Sequence, residues 1–440
     1  MELKNKPKIG FIPHFGALGD TYPLIEIAKY YRQLGGKAVF FSHGGKYEKL
    51  VKDMGFKTIK IIPEYFLKKY YKILFKLQYA YQDLKFTPEK KISHFFDKEY
   101  EDVNIEMIDK EIKAFQNEKV KVIFTNLSFT SHISARVNKI PLVLLTSGIA
   151  IPPYFQFNRA TFPEDYDNYF TRFIPKLIKN RLTNLYILHC KWGVKGFNRL
   201  AKKYQIPTIK RFLDLFSGDY TLMPDCMEFL ELEPTVKFPA KNFIGPILLE
   251  NIFKKQIDKL DFKIEQHLKR PGKSILLYMG SVGDKILFMK ILNILNKTDY
   301  NVIAIYTTIL NEKKLPKLND NILLKKFVSS IKKVNENVDL AIIHGGRGTV
   351  YTTAYSGKPA IGIPMHFEQN QNIDNLVRYG STLKLSKNFQ EKQLIYFIKK
   401  IFNNYSYYFN NANCLAKKLP TVEGASNAVN RLIEIFSSTF

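Results

Sequence analysis

The chain has 440 residues, 45% of them hydrophobic, with 67 lysines and arginines against 40 acids for a formal net charge of +27. That length exceeds one ordinary hydrophobic core, so two globular domains are expected, and the apolar content excludes a disordered or fibrous chain. No run reaches the roughly 18 apolar residues of a membrane-spanning helix, and the N-terminus MELKNKPKIGFIP has no signal-like apolar core.

Cys190, Cys226 and Cys414 lie far apart without metal spacing and read as free thiols in a reducing cytoplasm. The charge points to nucleic acid, an anionic membrane surface, or a lysine-rich composition alone. No zinc spacing, RNP-like stretch or helix-turn-helix signature supports nucleic acid, which is not expected as a partner.

In chain order, Lys8 to Pro13 reads as a first strand and His14 to Gly19 as a glycine-containing loop. A helix opens at Asp20-Thr21-Tyr22-Pro23, with Leu24, Ile27, Ala28, Tyr31 and Leu34 as its apolar stripe. Ala38 to Ser42 is the second strand. This is a βαβ opening and implies a parallel sheet. Pro63 to Gln82 reads as an aromatic-rich helix carrying four lysines. Val120 to Thr125, ending at Asn126, is a buried strand. His132 on the next helix reads as packing, and Leu142 to Thr146 is the following strand.

Between Asp167 and Asp214 lie eleven bases and no acid, interleaved with Phe173, Leu177, Ile178, Leu182, Leu185, Leu188, Trp192 and Phe197 at near-helical spacing. Two readings stand side by side. One is a basic amphipathic helix at an anionic membrane interface. The other is a core helix with a solvated lysine face.

Asp219 to Met223, Ser274 to Met279, Asn301 to Tyr306 and Asn321 to Phe327 are further strands. Residues 250–272 are polar and end in Pro271-Gly272. Asp339 to Ile343 is a buried strand, His344-Gly345-Gly346-Arg347-Gly348 a tight turn, and Thr349 to Gly357 a helix. Lys358 to Pro364 is another strand, followed directly by Glu368-Gln369 and by a helix from about Gln371 that closes at Gly380. Glycines admit a close backbone approach, and a helix start offers free N–H groups and a positive dipole end, so this segment suits an anion. Glu368 and Gln369 suit sugar hydroxyls at the carboxyl edge of an α/β sheet. After Gly380 come a strand and then helices, and Ala425 to Phe436 is amphipathic.

The order HGG-x-GT, G-x-P, P-x-x-x-EQ-x-x-N resembles the signature of the family 1 nucleotide-sugar glycosyltransferases. His344, Gly345, Gly346, Gly348, Thr349, Gly357, Pro359, Pro364, Glu368, Gln369 and Asn372 all fall in that pattern. Gly16-Ala17-Leu18-Gly19-Asp20-Thr21-Tyr22-Pro23 resembles the same family's opening G-x-x-G-[HD]-x-x-P loop. Met279-Gly280-Ser281 resembles its strand-then-GS turn, and Gly245-Pro246 the G-P before its linker.

The resemblance implies the GT-B fold: two Rossmann-like domains with parallel sheets facing across a cleft. Residues 1–246 would bind acceptor, 247–272 link, and 273–420 bind the nucleotide-sugar. Residues 421–440 would form a helix returning to the first domain. It implies an inverting hexosyl transfer from a UDP-linked donor to an acceptor hydroxyl, without metal or resident cofactor; the acceptor is a lipid or lipid-linked sugar if the basic segment binds an anionic membrane surface, and a soluble aglycone if it does not.

By the same resemblance Asp20 is the base and His14 the second candidate. The other reading of Asp20 is a helix N-cap. Gly19, in the first loop, is a nucleotide-sugar-binding candidate. His344, Ser281, Gly348 and Thr349 hold the diphosphate and Glu368 and Gln369 the sugar; Gly280, Gly345, Gly346 and Asn372 belong to the nucleotide-sugar site, and Val328 to the nucleobase segment, where the usual tryptophan-proline-glutamine is missing. The rivals are a nucleotide-sugar epimerase or hydrolase of the same fold, a donor-binding sensor without transfer, and a basic nucleic-acid binder.

Overall fold

The computed structural model describes residues 6–61, 96–163, 167–248, 260–281, 283–421 and 423–436. The aromatic stretch 63–82 lies outside them. The chain divides into two compact units. The first comprises 1–160, 180–247 and 422–440, and the second 161–179 and 248–421.

Each unit is built on a six-stranded parallel sheet. In the first, β1 (Ile9–Ile12), β2 (Ala38–Ser42), β3 (Thr58–Lys60), β4 (Val122–Thr125), β5 (Leu142–Leu145) and β6 (Tyr220–Leu222) run in the order β3-β2-β1-β4-β5-β6. In the second, β7 (Ser274–Tyr278), β8 (Asn301–Ile305), β9 (Ile322–Lys325), β10 (Leu340–Ile343), β11 (Ala360–Gly362) and β12 (Thr382–Lys384) run β12-β11-β10-β7-β8-β9. Both are doubly wound. The order reverses between β1 and β4 in one and between β7 and β10 in the other. Loops diverge at those two points and leave a crevice at the carboxyl ends of the strands.

The helices that matter to the site are α1 (Leu18–Gln33), α2 (Glu101–Asn117), α3 (Lys176–His189), α4 (Val194–Lys203), α5 (Lys285–Leu295), α6 (Arg347–Ser356), α7 (Phe367–Arg378) and α8 (Gly424–Phe436).

The strands are short apolar runs because both faces of each sheet are covered. Ile275 and Leu277 pack with Phe288, Ile291 and Leu292 of α5 on one face, while Leu276 joins Ile303 and Ile305 on the other. In the first unit Phe11 stacks on Phe40 at 5.3 Å and meets Phe124 at 5.6 Å. The final helix α8 packs on α1. Its start lies so close to the chain that a Cβ on Gly424 would sit 2.4 Å from Gly245 O, and Asn427 Nδ2 donates to Ile244 O at 3.0 Å.

Two consecutive residues are held by amide side chains. Ala160 N–H donates to Asn184 Oδ1 at 3.1 Å, and Asn184 Nδ2 donates to Ala160 O at 2.7 Å. Thr161 N–H donates to Gln371 Oε1 at 2.8 Å, and Gln371 Nε2 donates to Thr161 O at 2.9 Å. Below Gln371, Asp374 is buried with Lys384 Nζ at 2.7 Å and accepts from Asn370 Nδ2 at 2.8 Å. Each buried charge therefore has its partner.

Several boundaries differ from the sequence expectation. Helix α6 starts at Arg347 and α7 at Phe367, so Glu368 and Gln369 occupy the first turn of a helix rather than a loop after the strand. Helix α1 starts at Leu18 with Ala17 as N-cap and no capping side chain. Asp20 is thus inside the helix, and the N-cap reading of it falls.

Candidate active site

In the second unit, β7 and β10 lie side by side at the switch point, with Tyr278 paired to Ile343. Each runs on into a glycine loop. His344, the first residue after β10, is 3% exposed, and burial pushes its imidazole down to about 4, leaving it neutral at physiological pH. Its ring lies between two glycine backbones. A Cβ on Gly280, where φ is +64°, would sit 2.7 Å from His344 Cε1, and one on Gly346 would sit 2.6 Å from Nε2. His344 Nδ1 is buried with no hydrogen-bond partner among the described residues. An orphaned buried nitrogen calls for a partner, and a ligand oxygen is of the right chemistry.

The loop is held from both sides. Gly345 adopts φ +91° against α7, where a Cβ would meet Gln369 O at 2.7 Å. Asn372 Nδ2 donates to Gly345 O at 3.0 Å and so holds the loop. Thr349 Oγ1 donates to Gly346 O at 2.7 Å, closing the first turn of α6 with its only side-chain proton. Gly346 itself brings no capping side chain. The N–H groups at the start of α6 are therefore left for an anion. A Cβ on Gly348, in that turn, would meet nothing within 4 Å.

On the β7 side, Thr307 Oγ1 donates to Gly280 O at 2.8 Å and Thr308 Oγ1 to Ser281 O at 2.9 Å. Thr307 holds φ +44°, an uncommon conformation for a β-branched residue, at the same sheet edge. Neither threonine carries a motif signal, so sequence reading misses both.

Gln369 is buried, and its Oε1 accepts from Met365 N–H at 2.9 Å, which leaves Nε2 to donate. Glu368 is half-buried in the same turn. Val328 is 7% exposed and packs with Ile264 and Leu276, so its side chain belongs to the core. Phe327 beside it is 54% exposed and is the ring a base can stack on.

In the first unit the switch point collects His14, Asp20 and Asn126. His14 Nδ1 and Asp20 Oδ2 are 3.3 Å apart, each side chain about 30% exposed. The two rival bases form one pair. Asn126 Oδ1 accepts from His14 N–H at 3.0 Å, and its Nδ2 donates to Asp20 O at 2.8 Å, fixing both backbones. Thr21 Oγ1 donates to His14 O at 3.1 Å. A Cβ on Gly19 would meet nothing within 4 Å, so that side of the first turn of α1 is open.

One strand over, His43 Nε2 lies 2.8 Å from Glu111 Oε1 of α2, a wholly buried carboxylate that also accepts from Thr130 Oγ1 at 2.6 Å. No local pattern signals that contact, since its partners are 68 residues apart. His132 is buried, its imidazole lowered to about 3 by burial and by Arg136, and it packs edge-on against Phe197.

Residues 256–429 match the glycosyltransferase family 28 C-terminal domain. A Bacillus cytotoxicus UDP-N-acetylglucosamine--N-acetylmuramyl-(pentapeptide) pyrophosphoryl-undecaprenol N-acetylglucosamine transferase is 27% identical over 179 residues, 37% of this chain and 47% of that protein. A Mycobacterium tuberculosis PGL/p-HBAD biosynthesis glycosyltransferase is 26% identical over 264 residues, 58% of this chain and 56% of that one. The chain thus spans about half the length of these relatives.

Among solved structures, the calicheamicin glycosyltransferase CalG4 superposes with a TM-score of 0.66 at 13% identity, covering 99% of both chains. The spinosyn rhamnosyltransferase SpnG, complexed with thymidine diphosphate, gives 0.62 at 11% identity over 97% of this chain and 100% of that one. These likenesses show the fold. The matching domain is that of family 28, where the motifs resemble family 1. With two doubly wound units and these likenesses the chain has the GT-B fold, and the glycine cradle after β10 together with the family 28 domain match supports a nucleotide-sugar glycosyltransferase.

Proposed function

We propose that this protein transfers a sugar, with inversion, from a UDP-linked donor to the hydroxyl of a lipid or lipid-linked acceptor at the cytoplasmic face of a membrane. The observation that carries the donor half is the imidazole of His344, neutral and caged between Gly280 and Gly346 beside the uncapped start of α6. A diphosphate leaving group gains negative charge as the glycosidic bond breaks. Backbone N–H groups, a neutral imidazole donor and the positive end of a helix stabilise that charge where it develops. No metal or resident cofactor is given a role. Glu368 and Gln369 hold the sugar hydroxyls, and Phe327 with the Val328 backbone holds the base.

The acceptor hydroxyl loses its proton to the His14–Asp20 pair and attacks the anomeric carbon from the face opposite the diphosphate. With Nδ1–H donating its hydrogen bond to Asp20, His14 Nε2 is left with a lone pair that can accept the hydroxyl proton. Asp20 is then either the base itself or the group that orients His14, and the second role rests on the 3.3 Å contact. The UDP assignment draws on the names of the Bacillus relative and of a rat UDP-glucuronosyltransferase 36% identical over 64 residues. The lipid acceptor draws on the pyrophosphoryl-undecaprenol in the former name. Thymidine diphosphate in SpnG keeps the base identity an object of the test.

The test is thermal stabilisation by a panel of nucleotides and nucleotide-sugars, with Glu368→Ala alongside, since a ligand of the folded state raises its stability by RT ln(1 + [L]/Kd). A selective UDP-sugar shift that shrinks in Glu368→Ala supports the donor site. Stabilisation by thymidine nucleotides alone overturns the base assignment. Donor breakdown that no acceptor accelerates replaces transfer with hydrolysis.

A further inference from the structure

Helix α3 is amphipathic the wrong way round. Its inward side carries Asn184, 1% exposed, and Ile187, while Ile178, Leu182, Leu185 and Tyr186 are 50, 53, 47 and 52% exposed. These four share one face, at i, i+4, i+7 and i+8. The helix cannot roll to hide them, because Asn184 is bonded through both ends of its amide to the Ala160 backbone. Leu177, in the first turn, is 84% exposed. An array of this kind is unusual on a soluble surface and marks an interaction site. The core-helix reading holds for α4, which buries Phe197 and Leu200 and exposes Lys195, Lys202 and Lys203, and does not hold for α3.

The chemistry at the end of the helix selects the partner. A cleft of about 750 Å³ lies there, lined among others by His189, Lys191, Asn198, Lys210 and Arg211. Its single acid, Asp214, is paired to Arg211 at 3.3 Å and accepts the Lys210 and Arg211 N–H groups at 3.0 and 2.9 Å. Lys191, Lys210 and, on the helix, Lys176 and Arg181 are exposed. Apolar side chains beside a basic cleft, in a stretch of eleven bases and no acid, complement an anionic bilayer: leucines for the acyl boundary, cations for the phosphates.

We infer that the outward face of α3 and the basic cleft at its C-terminal end are the surface by which this chain docks on anionic lipid. This rests on the membrane part of the proposed function and names the surface responsible. Among the described residues no helix is long and apolar enough to cross a membrane, so the attachment inferred is a peripheral one.

The experiment is co-sedimentation of the full chain with phosphatidylcholine vesicles, with and without phosphatidylglycerol. Leu182→Asp/Leu185→Asp and Lys191→Glu/Lys210→Glu are compared with the parent. The donor-induced thermal shift reports that each variant is folded and keeps its donor site. The parent is expected to bind only the phosphatidylglycerol vesicles and less at high salt, and each variant to bind about tenfold more weakly or worse with an unchanged donor shift. Parent binding that both variants retain leaves the membrane reading standing and overturns this surface. A parent that binds neither vesicle overturns both. A parent that is dimeric without vesicles, and monomeric only as the leucine variant, makes the face a contact between copies and overturns the lipid assignment.

Discussion

Gly348→Ala separates a glycine kept for a ligand from one kept for the fold. Gly348 lies in the first turn of α6, and an added Cβ meets no atom within 4 Å. In the absence of donor the substitution costs no packing. Alanine is the better helix residue by about 0.5–1 kcal/mol, less so at a helix end, so the free protein should gain a few tenths of a kcal/mol in denaturant unfolding. The open space is where a phosphate would approach the first-turn N–H groups at about 2.9 Å, and a methyl group there interferes. A tenfold loss of donor affinity is about 1.4 kcal/mol. With ligand at a hundred times the parental Kd, donor stabilisation should fall from about 2.7 to about 1.4 kcal/mol. Calorimetric titration gives the same ratio directly. A variant that is more stable and binds donor as the parent does would refute the assignment of the α6 start as the phosphate site.

Asp20→Asn and His14→Asn should each lower kcat by roughly 10²–10⁴ while leaving the donor-induced shift intact, and the double variant should be no worse than the weaker single one; additive losses, measured by initial rates, would mean two independent groups. Asn126→Ala removes the bonds to His14 N–H and Asp20 O, and should cost about 1–2 kcal/mol of stability as well as activity; full activity would show that the pair holds its own geometry. Acid should weaken the fold through His344. Its imidazole titrates near 6.5 unfolded and about 4 folded, so stability present above pH 6.5 is lost as pH falls towards 4. Between pH 7 and pH 5 that is about 2 kcal/mol. His132, lowered to about 3, adds a loss of the same sign. Urea unfolding of His344→Asn should show the shallower drop between those two pH values, and an equal drop would remove His344 from the account.

The strand cores were readable because a parallel sheet buried on both faces needs short, uniformly apolar runs, and Ala38–Ser42 or Ser274–Tyr278 have no other use. The β3 strand, Thr58–Lys60, escapes this rule. It is a three-residue edge strand with no buried residue, so its composition carries no signal. The start of α7 is not legible in the sequence because its N-cap is His366 and no capping side chain announces it. The glycine cradle was legible as a motif, yet the imidazole enclosed by Gly280 and Gly346 depends on β7 meeting β10, a pairing between residues far apart in the chain. The His14–Asp20 contact was hidden because both read as separate candidates for one role, and only the turn into α1 brings them to 3.3 Å. In α3 the periodicity marks a stripe but not which side faces inward. Asn184 decides that through a residue 24 positions away.

The paired amides at Ala160 and Thr161 make a connection that is irregular in conformation behave like the middle of a sheet. Each residue has both backbone groups bonded to one side-chain amide, as a neighbouring strand would bond them. Solvent deuterium reaches such an N–H only when the amide pair opens. Residues 160 and 161 should therefore exchange as slowly as strand amides, far more slowly than the exposed turn 169–173 a few residues on. A protease, which needs an extended segment free of such bonds, should leave this connection whole and cut elsewhere.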